Sequence, residues 1–286
     1  MALWVIDIDD EQRLARGPVD EGPSELLDAS LDIDGLLAES GRFAEVVRSA
    51  APVDDVPTDA RIQAPLGQQD VWAAGVTYLR SRDARMHESG VPDSYDLVYD
   101  ARRPELFVKA GPGRAVGPSD AVGIRADSNW DVPEPELGLV VDSCGEIVAY
   151  TIGNDVSSRQ IEGENPLYLP QAKVYMASCA IGPALVPVED APSIEDMLIT
   201  MEVIRGEAHV YTEVVSVSEM KRTPDELVRW LYLAQEFPVG CILLTGTAIV
   251  PDDDFTLTEG DRVRIAIGGL GELENAVRSV GANELG

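Results

Sequence analysis

From Val71 onward the chain is written in short runs of apolar and β-branched residues cut by glycine, proline and aspartate: VWAAGVTY, ELFVKA, ELGLVVD, EIVAYTIG, CAIGPALVPV, MLITMEVI, CILLTGTAI and DRVRIAIGG. Such runs bounded by turn residues are strands. So many strands with so few helices argue for a mostly antiparallel β-roll or sandwich rather than a doubly wound sheet, in which strands alternate with long helices. One helix stands out at Thr223 to about Phe237. It opens with Thr-Pro-Asp-Glu, giving an N-cap, a proline at the first helical position and a glutamate three residues after the cap, and it stops at Pro238-Val-Gly240.

The first 65 residues differ. They mix short strand-like runs with two expected helices, Ser24 to Ser30 and Ile33 to Ala50, and end in APVDDVPTDARIQAP, a linker-like stretch of proline and aspartate. With 286 residues to place, the expected organisation is α+β: a small N-terminal α/β domain over residues 1–65 and a mainly-β catalytic domain over residues 66–286.

Several function classes are excluded by what the sequence lacks. No G-x-G-x-x-G turn, Walker loop or internal repeat is visible, so a nucleotide cofactor is not expected. No apolar run approaches membrane-spanning length, and the opening MALWVIDIDD has neither the basic nor the apolar segment of a secretory signal, so the expected location is cytoplasmic. The formal net charge of -29 disfavours nucleic acid and anionic membranes as partners. Apolar periodic segments throughout the chain argue against acidic disorder. The acidity instead reads as a surface kept hydrated in molar salt, where the Debye length falls to about 3 Å and self-repulsion is screened; the source is expected to be a halophile. Lysine is nearly absent: of 22 basic residues only Lys109, Lys173 and Lys221 are lysines. A chain that otherwise makes do with arginine retains a compact ammonium where position matters. Cys144, Cys179 and Cys241 are widely spaced in apolar stretches and are expected to be small buried hydrophobes.

With only two histidines, His87 and His209, and no Cys-x-x-Cys pair, a zinc site of the usual kind cannot be built. Oxygen ligands remain. In EPELGLVVDSCGEIVAYTIGND, Glu134 and Glu136 lie two apart at the start of a strand, so both carboxylates share a face while Leu137, Leu139 and Val141 take the other. Asp142-Ser143-Cys144-Gly145 reads as a hairpin turn, and the returning strand brings Asp155 beside Glu134. Three converging carboxylates repel one another unless a cation joins them, and hard oxygen ligands select Mg²⁺, Mn²⁺ or Ca²⁺. From spacing alone a second reading stands beside this one, since Glu-x-Glu in so acidic a chain also marks a solvated strand face.

Five segments, RPELFVKAG, EPELGLVVDSCGEIVAYTIGNDVSSRQIEG, QAKVYMASCAIGP, LLTGTAIV and LTEGDRVRIAI, together resemble the fumarylacetoacetate hydrolase superfamily in order and spacing, over about Val71 to Ile267. The resemblance implies that superfamily's β-roll, a homo-oligomer (dimer or tetramer), and a small 2-oxo acid as substrate. It implies Glu134, Glu136 and Asp155 as Mg²⁺ ligands, with Mn²⁺ as a possible substitute, Lys173 as the site lysine, and Thr247 holding the substrate carboxylate. RPELFVK and AAGVTYLRSRDARMHES look most like the 2-keto-3-deoxy-pentonate dehydratases of oxidative pentose degradation, including D-xylose catabolism. That finer likeness gives Glu105 an acid/base role and puts Arg80, Arg82, Arg159 and Gln160 near the substrate. Lys109 is either a substrate contact, as expected here, or the structural partner of a carboxylate.

Two rivals remain. The hydrolase members split a carbon–carbon bond of an acylpyruvate or fumarylacetoacetate-like substrate through a His/Glu pair, which His87 and Glu88 would supply. A non-catalytic acidic scaffold would leave the carboxylates as surface. His209 and Lys221 are expected to be surface residues.

Overall fold

The structure is a computed structural model and describes residues 1–88 and 97–281, with only the backbone of Glu88. It is mainly β, built on two large sheets. The first runs Ala2–Ile8, Cys179–Pro187, Ile147–Asp155, Pro135–Val141, Cys241–Leu244, Asp70–Gly75 and Glu105–Ala110, with the remaining N-terminal strands beyond Ala2–Ile8. All these neighbours are antiparallel except Cys241–Leu244 and Asp70–Gly75. The second sheet runs Ala208–Ser216, Leu198–Arg205, Arg262–Ile267, Gly271–Val280 and Val122–Arg125.

Alternation along the strands decides what each face buries. Leu137, Leu139 and Val141 join Ile199, Met201, Val203, Ile265 and Ile267 in one core between the sheets, as the expected hairpin requires. Val140 points the other way, into a second core with Leu3, Val5, Ile181 and Leu185, which the helices Ile33–Ala38 and Arg42–Ser49 cover through Leu36, Leu37, Phe43 and Val47. Glu134 and Glu136 share the parity of Val140. The N-terminal segment is joined to the large sheet, with Leu3 opposite Leu185.

The hairpin has the expected turn. Asp142 Oδ1 accepts from the backbone of Cys144 and Glu146 at 2.9 and 3.0 Å, and Gly145 supplies the left-handed φ of 84°. Cys144 at its tip is exposed, correcting the expectation that all three cysteines are buried; Cys179 and Cys241 are. Three helix expectations also change. Ser24–Ser30 contains the strand Glu25–Leu26, paired with Arg16 and Ala15, and then a turn in which Ser30 N–H donates to Asp28. Ile33–Ala50 breaks in two: Glu39 turns extended and ends Ile33–Ala38, and Gly41, with a left-handed φ of 76°, caps the start of Arg42–Ser49. The helix capped by Thr223, whose side chain accepts from Glu226 N–H, ends at Leu231 rather than near Phe237. Leu79–Glu88, Arg159–Glu164 and Leu169–Lys173 are helices with no clear apolar period. No helix among the described residues is long and apolar enough to cross a membrane.

Candidate metal centre and active site

Five strands deliver their site residues to one end of the large sheet. Antiparallel pairing puts the start of Pro135–Val141 beside the end of Ile147–Asp155, and Asp155 N–H donates to the Glu134 carbonyl at 2.9 Å. Cys241–Leu244 runs opposite to Pro135–Val141, so Gly246 and Thr247 emerge at the same end. Asp70–Gly75 runs parallel to it, and Gly75 pairs with Glu105. These residues enclose a cavity of about 20 Å³, lined also by Val76, Ser81, Arg85, Phe107, Glu162, Leu169 and Lys173.

Glu134, Glu136 and Asp155 are all buried, with one oxygen of each within 4.8 Å of the others. Their surroundings balance the charge unevenly. Burial works against ionisation of Glu134, but Lys173 and Arg85 outweigh it and hold the carboxyl at about 2. Lys173 Nζ donates to Glu134 Oε1 at 2.9 Å, Asp155 Oδ2 at 3.2 Å and Ser157 Oγ at 2.6 Å. The Ser157 hydroxyl itself donates to the Asp155 carbonyl. Arg85 Nη2 and Arg159 Nη2 lie 3.0 and 3.4 Å from Glu134 Oε1. Glu136 is left with the Gly246 N–H at 2.6 Å. Burial, then the charges of Asp155 and Glu134, push its carboxyl well above the usual range. A cluster of hard oxygen donors with a surplus of repulsion at Glu136 fits a divalent cation such as Mg²⁺.

The second buried lysine has a different position. Lys109, with no exposed surface, stands 2.5 Å from Asp155 Oδ1 and donates to the carbonyls of Val156 and Lys173 at 2.8 and 2.6 Å. Its ammonium is held by two carbonyls and a carboxylate of the protein, and it does not line the cavity. Glu105 does line it. Burial and facing Glu162 outweigh Lys173 and Arg85 and raise the Glu105 carboxyl to about 7. Thr247 also lines the cavity, its hydroxyl accepting from Ile249 N–H at 3.1 Å.

Other expected contacts lie outside the lining. Arg80 pairs with Glu213 and donates to the Val250 carbonyl. Arg82 binds Asp83 and stacks over Tyr99. Gln160 accepts from Asn129 N–H at 2.8 Å. His87 is exposed, 3.2 Å from Asp253, and does not line the cavity; the Glu88 side chain lies outside the described residues. His209 and Lys221 are on the surface, as expected.

Sequence reasoning missed Arg85 and Glu162. Arg85 Nε meets Glu162 Oε1 at 3.2 Å, tying Leu79–Glu88 to Arg159–Glu164 beside the carboxylate cluster. The available signal was the helical spacing of Ser81 and Arg85, four apart, which puts both on the buried face while Arg80 points away.

Comparison with known proteins agrees with this geometry. The model of the fumarylacetoacetate (FAA) hydrolase C-terminal family matches residues 71–278. The chain is 51% identical over 237 residues, 83% of its length and 82% of the relative's, to a probable 2-keto-3-deoxyxylonate dehydratase of Haloferax volcanii. It is 42% identical over 225 residues, 77% of its length and 75% of the relative's, to a 2-dehydro-3-deoxy-D-arabinonate dehydratase of Saccharolobus solfataricus. A solved 2-keto-3-deoxy-D-arabinonate dehydratase complexed with magnesium and 2,5-dioxopentanoate superposes with a TM-score of 0.86 at 33% identity, covering 99% of this chain and 100% of that one. With its matched strands building the carboxylate cluster, the chain belongs to the fumarylacetoacetate hydrolase family.

Proposed function

We propose that the protein is a Mg²⁺-dependent hydro-lyase that dehydrates a 2-keto-3-deoxy-pentonate to 2,5-dioxopentanoate in oxidative pentose degradation. The observation that carries the reading is the buried cluster of Glu134, Glu136 and Asp155 with Glu105 across the same cavity, in a chain 51% identical to a probable 2-keto-3-deoxyxylonate dehydratase.

Glu134, Glu136 and Asp155 would hold the Mg²⁺, which when bound supplies Lewis acidity toward the carboxylate and carbonyl oxygens of a 2-oxo acid. Lys173 has three acceptors around its ammonium, so its protons are committed and it acts as a fixed positive charge. That charge favours the electron density that collects on the C2 oxygen as C3 loses its proton. Glu105 takes the C3 proton and returns it to the departing C4 hydroxyl; a carboxyl near neutrality suits both halves of that transfer. The C3–H and C4–O bonds break, the C3–C4 double bond forms and water leaves. Moving a C5 proton to C3 then gives the enol of 2,5-dioxopentanoate. Thr247 lines the cavity and supports the acid's oxygens, while Arg159, outside the lining, acts through its ion pair with Glu134.

Every cavity residue lies beyond residue 73, which supports residues 66–286 as the catalytic domain and residues 1–65 as a small α/β unit. The net charge of -29 and the Haloferax volcanii relative support a halophilic, cytoplasmic enzyme. Assembly as a homo-oligomer is what the family resemblance implies. The exposure of His87 counts against hydrolysis through a His/Glu pair.

The test is mass spectrometry of products after incubation in molar KCl with Mg²⁺, separately with 2-keto-3-deoxy-pentonate and with an acylpyruvate. Loss of one water to 2,5-dioxopentanoate is expected. Cleavage of the acylpyruvate alone would overturn the dehydratase reading.

A further inference from the structure

Glu162 has no role in the chemistry above, yet it lines the cavity and is only 5% exposed. Its two oxygens have different surroundings. Oε1 meets Arg85 Nε at 3.2 Å, whereas Oε2 finds no hydrogen-bond donor among the described residues, with Arg159 Nη1 standing off at 3.8 Å. The helix Arg159–Glu164, capped by the Ser158 side chain accepting from Ile161 N–H, fixes the backbone that carries it. Arg85 in turn bridges Glu162 and Glu134. An acceptor held this rigidly with a bare oxygen is costly to bury unless a donor meets it when the site fills. Elsewhere the walls of the cavity include Ala74, Val76, Phe107 and Leu169, which donate nothing from their side chains.

We propose that Glu162 Oε2 accepts a hydrogen bond from a hydroxyl at the distal end of the substrate, and so selects hydroxylated 2-oxo acids over those with an alkyl or acyl tail. The chemistry sets the preference. A carboxylate rewards an O–H donor, leaves its buried oxygen unpaired against a methylene, and repels a ketone oxygen. A 2-keto-3-deoxy-pentonate carries hydroxyls beyond C3, whereas an acylpyruvate presents a carbonyl there. Glu162 is thus a specificity residue, and the assignment rests on the dehydratase reading above.

The test compares two ligands of magnesium-loaded protein in molar KCl: KM for 2-keto-3-deoxy-pentonate and the competitive inhibition constant of 2-oxopentanoate, which lacks the hydroxyls. The wild-type protein is expected to favour the hydroxylated acid. Glu162→Gln is expected to raise KM about tenfold, the weight of one hydrogen bond to a charged group, while the inhibition constant of 2-oxopentanoate moves less than about twofold. Glu162→Asp, which keeps the charge but withdraws it, is expected to lose the same discrimination and serves if the glutamine variant does not fold. Equal affinities in the wild type, or parallel changes in both constants, would overturn the assignment while leaving the dehydratase reading intact. A wild-type protein that releases no 2,5-dioxopentanoate would overturn both.

Discussion

Lys109 reaches Asp155 and the backbone of Lys173 with the same ammonium, standing 2.5 Å from Asp155 Oδ1 and 2.6 Å from the Lys173 carbonyl. One buried cation thus sets the position of a carboxylate of the acidic cluster and of Lys173. Replacing it by Met leaves Asp155 buried with one partner fewer, a change that costs about 3–5 kcal/mol when a buried pair is broken. Urea unfolding should show that loss. Mg²⁺ should raise the Tm of Lys109→Met more than that of the wild type, because the cation then meets a less compensated carboxylate. Equal shifts would show that Lys109 does not compensate the cluster.

Glu136 has the fewest partners of the cluster among the described residues, with one hydrogen bond, from the Gly246 N–H at 2.6 Å. Glu136→Gln keeps the shape and removes one charge from the proposed metal ligands. Turnover is expected to fall at least about a thousandfold, as when a group that sets transition-state charge is lost. Calorimetric titration with Mg²⁺ should lose its saturable phase while the circular dichroism spectrum stays unchanged. A variant with full activity and unchanged Mg²⁺ dependence would sink the metal assignment.

The cluster was legible in the sequence because two local rules placed it. Period-two alternation put Glu134 and Glu136 on one face, and the Asp142–Gly145 turn fixed the register that returns Asp155 to Glu134. Arg85 and Glu162 obey no local rule. They sit on short helices whose buried faces are polar, so no apolar period marks them, and the ion pair between the helices is tertiary. Arg80 and Arg82, which the sequence places beside the substrate, turn toward Glu213 and Asp83, and Arg85 takes the inner face. The Ile33–Ala50 pattern failed for another reason: an extended Glu39 ends one helix and a left-handed Gly41 starts the next without altering the hydrophobicity.

Glu105 is held against a glycine. A Cβ at Gly75 would lie 2.2 Å from Glu105 Oε2 and 2.7 Å from its Cδ, so Gly75→Ala must push the carboxylate aside. Because the far end of a flexible side chain yields, the fold should survive. The misplaced acid/base group is expected to lower kcat about a hundredfold with little change in KM, the scale of a general acid–base contribution. An equal loss in Mg²⁺ affinity would instead point to disturbance of the metal cluster.

The same carboxyl sets a pH dependence. In the proposed proton transfer Glu105 must be ionised to take the C3 proton, and burial raises its carboxyl to about 7. The value of kcat/KM should therefore rise with pH up to about 7 and level off above it, and Glu105→Gln should abolish both the activity and the rise. A flat profile between pH 5 and 8 would remove Glu105 from the proton-transfer role.

Asp131 gives a pH effect on stability without chemistry. It is 2% exposed, its Oδ1 has no hydrogen-bond partner, and burial raises its carboxyl from 3.8 to about 6 despite a hydrogen bond from Ser128. A carboxyl raised in the folded state favours folding while protonated, so its contribution is full below 3.8 and is lost as pH rises through about 6. Asp131→Asn stays neutral and escapes that loss. Urea unfolding in molar KCl should find the variant near the wild type at pH 4 and more stable at pH 7, the gap opening between about pH 4 and 6. A gap of constant size across that range would mean that Asp131 is ionised in the folded protein throughout, its charge met by Arg125 rather than suppressed by burial.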